Sequence, residues 1–463
     1  MLLPGIPLAA GAGGLQRIGH TTLAPRHASP DDKGLYSALV DPANGYAYVV
    51  GNYLTKLDIT GNLPVPVGTS IYTGQFQEAA IDLASGYLYL TRNSTVFRYA
   101  AGVGVASVTS AGSLTLPGSG IASTVLDDSD PDPANHYAYV VCAGSPAQVW
   151  KVALSTFQVV SSLTLNTGEN AFYFGKGDAR NGYAYFLNYS TPAAHAIPQV
   201  LKIKMTPGTN APVRTGIVNL DSATTFIGCF AIDTVHGYLY YGTDGNVSME
   251  TIYKVKLGDG DALPTPVPFG GVALRPGEIE LISCIVDPQG GYVYFGDDNT
   301  YPGRIFQLLL NGPNPPVEMP GYLPLQGGTN STTPPDGTSI LNATTGTDLP
   351  YGEVFLHSAV FDPVRGYAYF CQDSRPNQVV KVQVARDLPV ITDAAKQQDG
   401  SFQLQFANTP YVTHSVLATT DLTLPVASWT LIGTATEVSP GQFQFSDPQA
   451  GSFTRRFYRV TAP

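Results

Sequence analysis

Charge is what this sequence has least of. Asp, Glu, Lys and Arg make up 13% of its 463 residues, about half the share usual in soluble proteins. The balance is acidic, −11 in net terms, and no Lys/Arg run occurs. Binding to nucleic acid or to an anionic membrane is therefore disfavoured. No apolar stretch approaches the ~20 residues of a membrane-spanning helix. Cysteine is limited to Cys142, Cys229, Cys284 and Cys371, with no Cys-x-x-Cys and no Cys/His metal spacing. The histidines, His20, His27, His136, His195, His236, His357 and His414, fall in neither a His-Glu-x-x-His nor a Ser/His/Asp arrangement. With so few His and Glu residues and no catalytic motif, the chain reads as a non-enzyme.

What the sequence does have is turns and repetition. Its 49 glycines and 37 prolines suit a turn-rich all-β protein. Seven anchor aspartates recur: Asp41, Asp82, Asp132, Asp178, Asp233, Asp287 and Asp362. Each is followed five residues on by a tyrosine and seven residues on by another, as in Asp41, Tyr46 and Tyr48. Glycine precedes the first tyrosine in six copies, and His136 takes its place in the third. Each unit has a physical reading. An apolar run ends at the aspartate, whose carboxylate accepts backbone amides and starts a turn. Glycine supplies a positive φ at low cost, so His136 predicts strain or a different turn, with its ring solvated. Tyr-x-Tyr has period two and places both rings on one face of the second strand. A third strand carries a lysine between aliphatics, as in Val149-Trp150-Lys151-Val152. A weaker fourth strand follows, as over 213–220. Four short antiparallel strands repeated seven times predict a seven-bladed β-propeller.

Spacings between anchors are 41, 50, 46, 55, 54 and 75 residues. The last holds a Thr/Pro/Gly-rich insertion around 327–350 that reads as a surface loop. Asn330 and Asn342 there fit the N-glycosylation pattern, as chance matches in so Asn/Thr-rich a loop. Leu15 to Pro25 reads as a fourth strand without its own first three, and the last unit has three strands and stops. The N-terminal strand is therefore expected to complete the seventh blade, removing an open edge. After Val384 the repeat ends. Residues 386–463 alternate afresh and predict a small separate β-sandwich. Residues 1–14 form an apolar tail. As a signal-peptide remnant it lacks a basic n-region, and Pro4 and Pro7 break its apolar run.

The Asp-x-x-x-Gly turn, the aromatic strand Tyr46-Ala47-Tyr48-Val49-Val50-Gly51-Asn52 and the lysine-centred strand resemble the YVTN-type propellers of bacterial and archaeal surface proteins. The resemblance covers 15–385, and it departs in using Tyr-Ala-Tyr or Tyr-Leu-Tyr for a regular Tyr-Val-Thr-Asn. The C-terminal stretch, through Thr420-Asp421-Leu422, Trp429-Thr430, Phe445-Ser446-Asp447 and Phe457-Tyr458-Arg459-Val460, resembles the fibronectin-III-like modules that end many secreted proteins of Verrucomicrobia-like bacteria. Together they imply an extracellular or cell-surface setting and carry over no catalytic residue.

The densest acidic stretch, Asp127, Asp128, Asp130 and Asp132, offers hard oxygen ligands of the kind Ca²⁺ takes, set against a solvated acidic rim. No other cofactor is expected. The four cysteines read as buried free thiols, a one-residue offset turning Cys229 and Cys284 to opposite faces; a disulfide between these two is the alternative. His357 is expected at the central channel. Fourteen of the 27 tyrosines are explained by the repeat as packing between blades. Three function classes follow. The first is a secreted structural protein that assembles into a filament or surface layer, its apolar Leu2, Leu3, Ile6 and Leu8 docking on another copy. The second is an extracellular module that binds a glycan or protein partner. The third is a propeller lyase or hydrolase. A channel holding two or more titratable side chains favours the last over the first.

Overall fold

The computed structural model describes residues 15–23, 34–188, 198–220, 226–244, 250–325, 353–372, 377–384 and 389–461, apart from positions 75, 77, 103, 119, 269–270, 276–277, 279, 299–301 and 354. Among them, seven antiparallel sheets each carry one copy of the repeat, and two further sheets form from residues 390–461. The first unit shows the pattern: Ser37–Asp41, Tyr46–Val50, Tyr53–Asp58 and Val65–Tyr72 pair in chain order. The anchor aspartate closes the first hairpin, Asp41 standing opposite Tyr46. Its carboxylate accepts the Asn44 amide at 3.2 Å, and Asp287 accepts Gly290 in the same way at 2.9 Å. The six turn glycines before the tyrosines all have φ between 70° and 80°, the left-handed region the turn requires.

The third unit corrects the reading of its anchor. Its first strand is Ile121–Asp127, and Asp127, not Asp132, lies opposite Tyr137. The connection is five residues longer than in the first unit and carries a 3₁₀ turn at Pro133–Asn135, capped by the exposed Asp132. His136 then leaves the turn at φ −81°, without strain. Its ring is buried, not solvated, and reaches Asp82 of the second unit.

Seven hydrophobic clusters each span two consecutive units. Period two explains how. Tyr139 and Val141 pack toward the fourth unit, and Ala138, Val140 and Cys142 toward the second. Both faces of every second strand are thus buried, and so is the lysine of the third. Lys151 is 0% exposed, lies 4.0 Å from the Tyr137 ring centroid, and donates to carbonyls of Thr206, Gly208 and Asn210 in the next unit. Lys56 likewise donates to Ala101, Gly102 and Val105, each at 3.1 Å. Lys202 serves Leu257, Gly258, Gly260 and Ala262 at 2.6–3.2 Å. Lys254 serves Leu310, Gly312 and Asn314, and Lys381 returns to Gly61 of the first unit at 2.8 Å. Arg98 does this for the second unit, donating to Leu154 at 3.2 Å. In each case the acceptor is at or after the end of the next unit's third strand. The sixth unit has Gln307 instead.

The reason lies in the seventh sheet. Its strands Ser358–Asp362, Tyr367–Cys371 and Gln378–Gln383 are joined by Gln16–Thr22 from the other end of the chain. No hairpin links its third and fourth strands, so the sixth unit has no such turn to hold. The N-terminal strand is fastened by charge instead. Buried Glu353 accepts from Arg17 Nε at 2.7 Å and lies 2.6 Å from His20 Nδ1.

Residues 390–461 form a four-stranded and a three-stranded antiparallel sheet. Leu404, Phe406 and Phe443 make their core, with Val460 against it. This part touches the sixth unit. The Thr409 and Val412 side chains fill the space a side chain at Gly291 would need, and the Tyr411 ring covers Gly312.

Candidate functional site

The seven innermost strands begin together at one end, and the residues at those beginnings differ from unit to unit. Four positions before the register-aligned aspartate stand Ser37, Glu78, Ser123, Phe174, Cys229, Ser283 and Ser358. Two positions before it the residue is aliphatic in six units, and is Lys176 in the fourth. Of these, Ser37, Glu78, Phe174, Lys176, Cys229, Ser283 and Ser358 line a cavity of about 170 Å³, reached from six of the seven innermost strands. A cavity reached from so many strands lies on the axis of the ring. Tyr36, Tyr173 and His357, each just before or at the start of an innermost strand, complete its wall with Phe174 and Phe230.

Glu78 is its chemical centre. Ser123 Oγ donates to the carboxylate at 2.6 Å and the Thr124 amide at 2.9 Å. Gly175 makes this possible, because a Cβ there would collide with the Ser123 hydroxyl. Burial pushes the carboxyl up to about 7, with the Lys176 ammonium and the Ser123, Thr124 and Gly175 donors pulling the other way. At neutral pH Glu78 both donates and accepts, depending on what faces it. His357 Nε2 is 3.6 Å from Asp298 Oδ1, and its ring stands edge-on to Tyr36 at 5.7 Å. Tyr173 is 44% exposed and lines the cavity. Ser358 Oγ is occupied, donating to the Leu35 carbonyl at 2.8 Å.

The sequence-derived candidates fare unequally. His357 lines the cavity. The acidic stretch does not gather into a metal site, since no group of three or more His, Cys, Asp or Glu side chains converges among the described residues. Its carboxylates cap local turns: Asp127 accepts Ser129 Oγ at 2.8 Å, Asp130 accepts the Asp132 amide at 2.8 Å, and Asp132 accepts the Ala134 amide at 3.0 Å. Leu2, Leu3, Ile6 and Leu8, with Asn330 and Asn342, lie outside the described residues. All four cysteines are free. Burial raises Cys142 to about 11 and Cys371 to about 12. Cys229 and Cys284 both pack between units five and six, Cys229 on the face of its sheet toward unit six and Cys284 on the face of its sheet toward unit five, so their opposite facing is what brings them together. Glu78 and Lys176 escaped the sequence reading. Their signal is the stacked register, in which a carboxylate and an ammonium break columns otherwise uncharged.

No family model matches the chain, and no curated protein matches it. Among solved structures it is similar to Kuenenia stuttgartiensis hydrazine synthase, at 13% identity and TM-score 0.52 over 79% of this chain and 100% of that one. A structural-genomics protein from Lactobacillus plantarum aligns at 16% identity and TM-score 0.46, over 63% of this chain and 84% of its own. At 13% identity the first likeness speaks to fold alone. With the repeated four-stranded antiparallel sheets, it fits a β-propeller. No helix among the described residues is long and apolar enough to cross a membrane.

Proposed function

We propose that the chain is a seven-bladed propeller of the YVTN-like surface type with a C-terminal fibronectin-III-like sandwich, and that it acts outside the cell as a glycan-binding module. The axial cavity carries this reading. It sets a carboxyl near its titration point, an ammonium group, serine hydroxyls and tyrosine rings around a space sized for part of one sugar residue. Sugar recognition pairs aromatic rings with directional hydrogen bonds to hydroxyls, and tyrosines and hydrogen-bonding side chains both line this cavity. A glycan array followed by calorimetry tests it. Binding is expected in the native protein and at least tenfold weaker in Glu78→Gln and Tyr173→Ala, each losing about 1.4 kcal/mol or more. An array without hits, or equal affinity in both variants, overturns it.

Glu78, Lys176 and His357 at one cavity meet the criterion for a lyase or hydrolase, which is the second reading; self-assembly is the third, favoured by one observation. Val390–Lys396 is the outer strand of its sheet, and Val390 and Ile391 on it are 64% and 50% exposed. An uncovered apolar edge suits strand addition by another copy. Size-exclusion mass at rising concentration distinguishes a monomer from an assembly.

A further inference from the structure

Units five and six meet along the axis more extensively than any other neighbouring pair of innermost strands among the described residues. Glycine is the cause. Gly228 faces the Leu281 carbonyl so closely that a Cβ would collide with it. Gly242, paired with Cys229 across its sheet, leaves the same kind of room beside Leu281 and the Cys229 sulfur. Cys229 lies on one of these strands and Cys284 on the other, both residues line the axial cavity, and both pack in the cluster between units five and six. The Cys229 thiol is buried, is within hydrogen-bonding reach of Cys284, and is pushed well up by burial first and by that neighbour second. Cys284 is the more accessible of the two. The remaining thiols, Cys142 and Cys371, are packed into clusters between other units.

We propose that Cys229 and Cys284 are a disulfide-forming pair, which a small disulfide such as oxidised glutathione closes into a bond tying unit five to unit six in the cavity wall. The Cys284 thiol gives up its proton, and its sulfur attacks one sulfur of oxidised glutathione, expelling one glutathione thiolate that takes a proton. Cys229, deprotonated in turn, attacks the Cys284 sulfur of the mixed disulfide and expels the second glutathione. Two protein thiols are oxidised and one glutathione disulfide is reduced to two thiols, so electrons and protons balance. The pairing does not depend on the glycan reading, since it needs only the strand contact.

The native chain is incubated with oxidised glutathione, its free thiols are blocked, and it is analysed by intact mass and peptide mapping. The expected product has lost two thiols and about 2 Da, the mass of two hydrogens, and yields one linked peptide pair holding Cys229 and Cys284. Cys142 and Cys371 remain open to alkylation once the chain is unfolded. A glutathione adduct resting on Cys284 with Cys229 still free overturns the proposal, as do four unchanged thiols. Phenylarsine oxide, which holds firmly where two thiols stand side by side, gives an independent reading. One equivalent is expected on the native chain and none on Cys284→Ser. Equal retention by both overturns the pairing.

Discussion

Two buried histidines respond to pH in opposite directions, and their partners explain why. His136 holds Asp82 at 3.0 Å through Nδ1 and the Asp130 carbonyl at 2.6 Å through Nε2. Burial pulls its pKa down, and the Asp130 carbonyl and Asp82 carboxylate more than reverse this, so the folded value is raised. Its stabilisation is therefore complete below the unfolded value near 6.5 and is lost as pH rises through the folded value. His136→Gln is expected to cost about 1.5–3 kcal/mol at pH 6 and less at pH 8, read from urea unfolding of both proteins. His414 lies between the Phe406 and Phe443 rings, at 5.3 and 4.5 Å, and neither ring nitrogen has a hydrogen-bond partner among the described residues. Burial depresses it to about 4. The unfolded chain binds the extra proton between about 6.5 and that value, so acid destabilises this part of the protein. His414→Leu removes that acid sensitivity, and calorimetric melts at pH 5 and pH 7 check it.

At the scale of the strand, the buried cations of the third strands hold one unit to the next. An ammonium group serving three or four carbonyls satisfies groups that a tight turn leaves unpaired. Lys254→Met strands the carbonyls of Leu310, Gly312 and Asn314 and is expected to cost about 3 kcal/mol. The loop it loosens also carries the Tyr411 contact at Gly312, so protease nicking near 312 should rise with the loss of stability. Gln307 makes the complementary case. It is 3% exposed, and its Nε2 finds no acceptor among the described residues. Gln307→Lys would bury a charge where no hairpin turn awaits it, so this restoration of the repeat consensus is expected to lower the melting temperature.

At the scale of the molecule, what matters is how the ring closes. The two chain ends of the repeat region meet in one sheet, with Gln16 opposite Gln383 and Thr22 opposite Gln378. Arg17 and Glu353 reinforce this closure, their side chains 23% and 0% exposed. Glu353→Gln leaves the guanidinium facing a neutral amide and is expected to cost about 3 kcal/mol, with the N-terminal strand becoming the first site of proteolysis. Removing residues 1–25 leaves Gln378–Gln383 as an open edge, and aggregation followed by light scattering should report it.

Much of this could be read from the sequence, because the repeat is written in local chemistry. An aspartate that caps a turn, a glycine with positive φ and two tyrosines at period two act within ten residues of one another. The chain therefore declares its units without reference to what they pack against. The third unit shows where that reading fails. Asp132 keeps the spacing to Tyr137, but Asp127 keeps the pairing, and spacing alone does not tell a capped insertion from a hairpin. The lysine column was visible, but its purpose was not, since its acceptors lie some 50 residues on, in the neighbouring sheet. Glu78 with Lys176, His136 with Asp82 and Cys229 with Cys284 were decided by tertiary structure. Each pair joins different units, and which side chains meet near the axis depends on how closely consecutive sheets can pack. Gly175 and Gly228 set that distance, and a glycine in a strand has no local pattern to announce it.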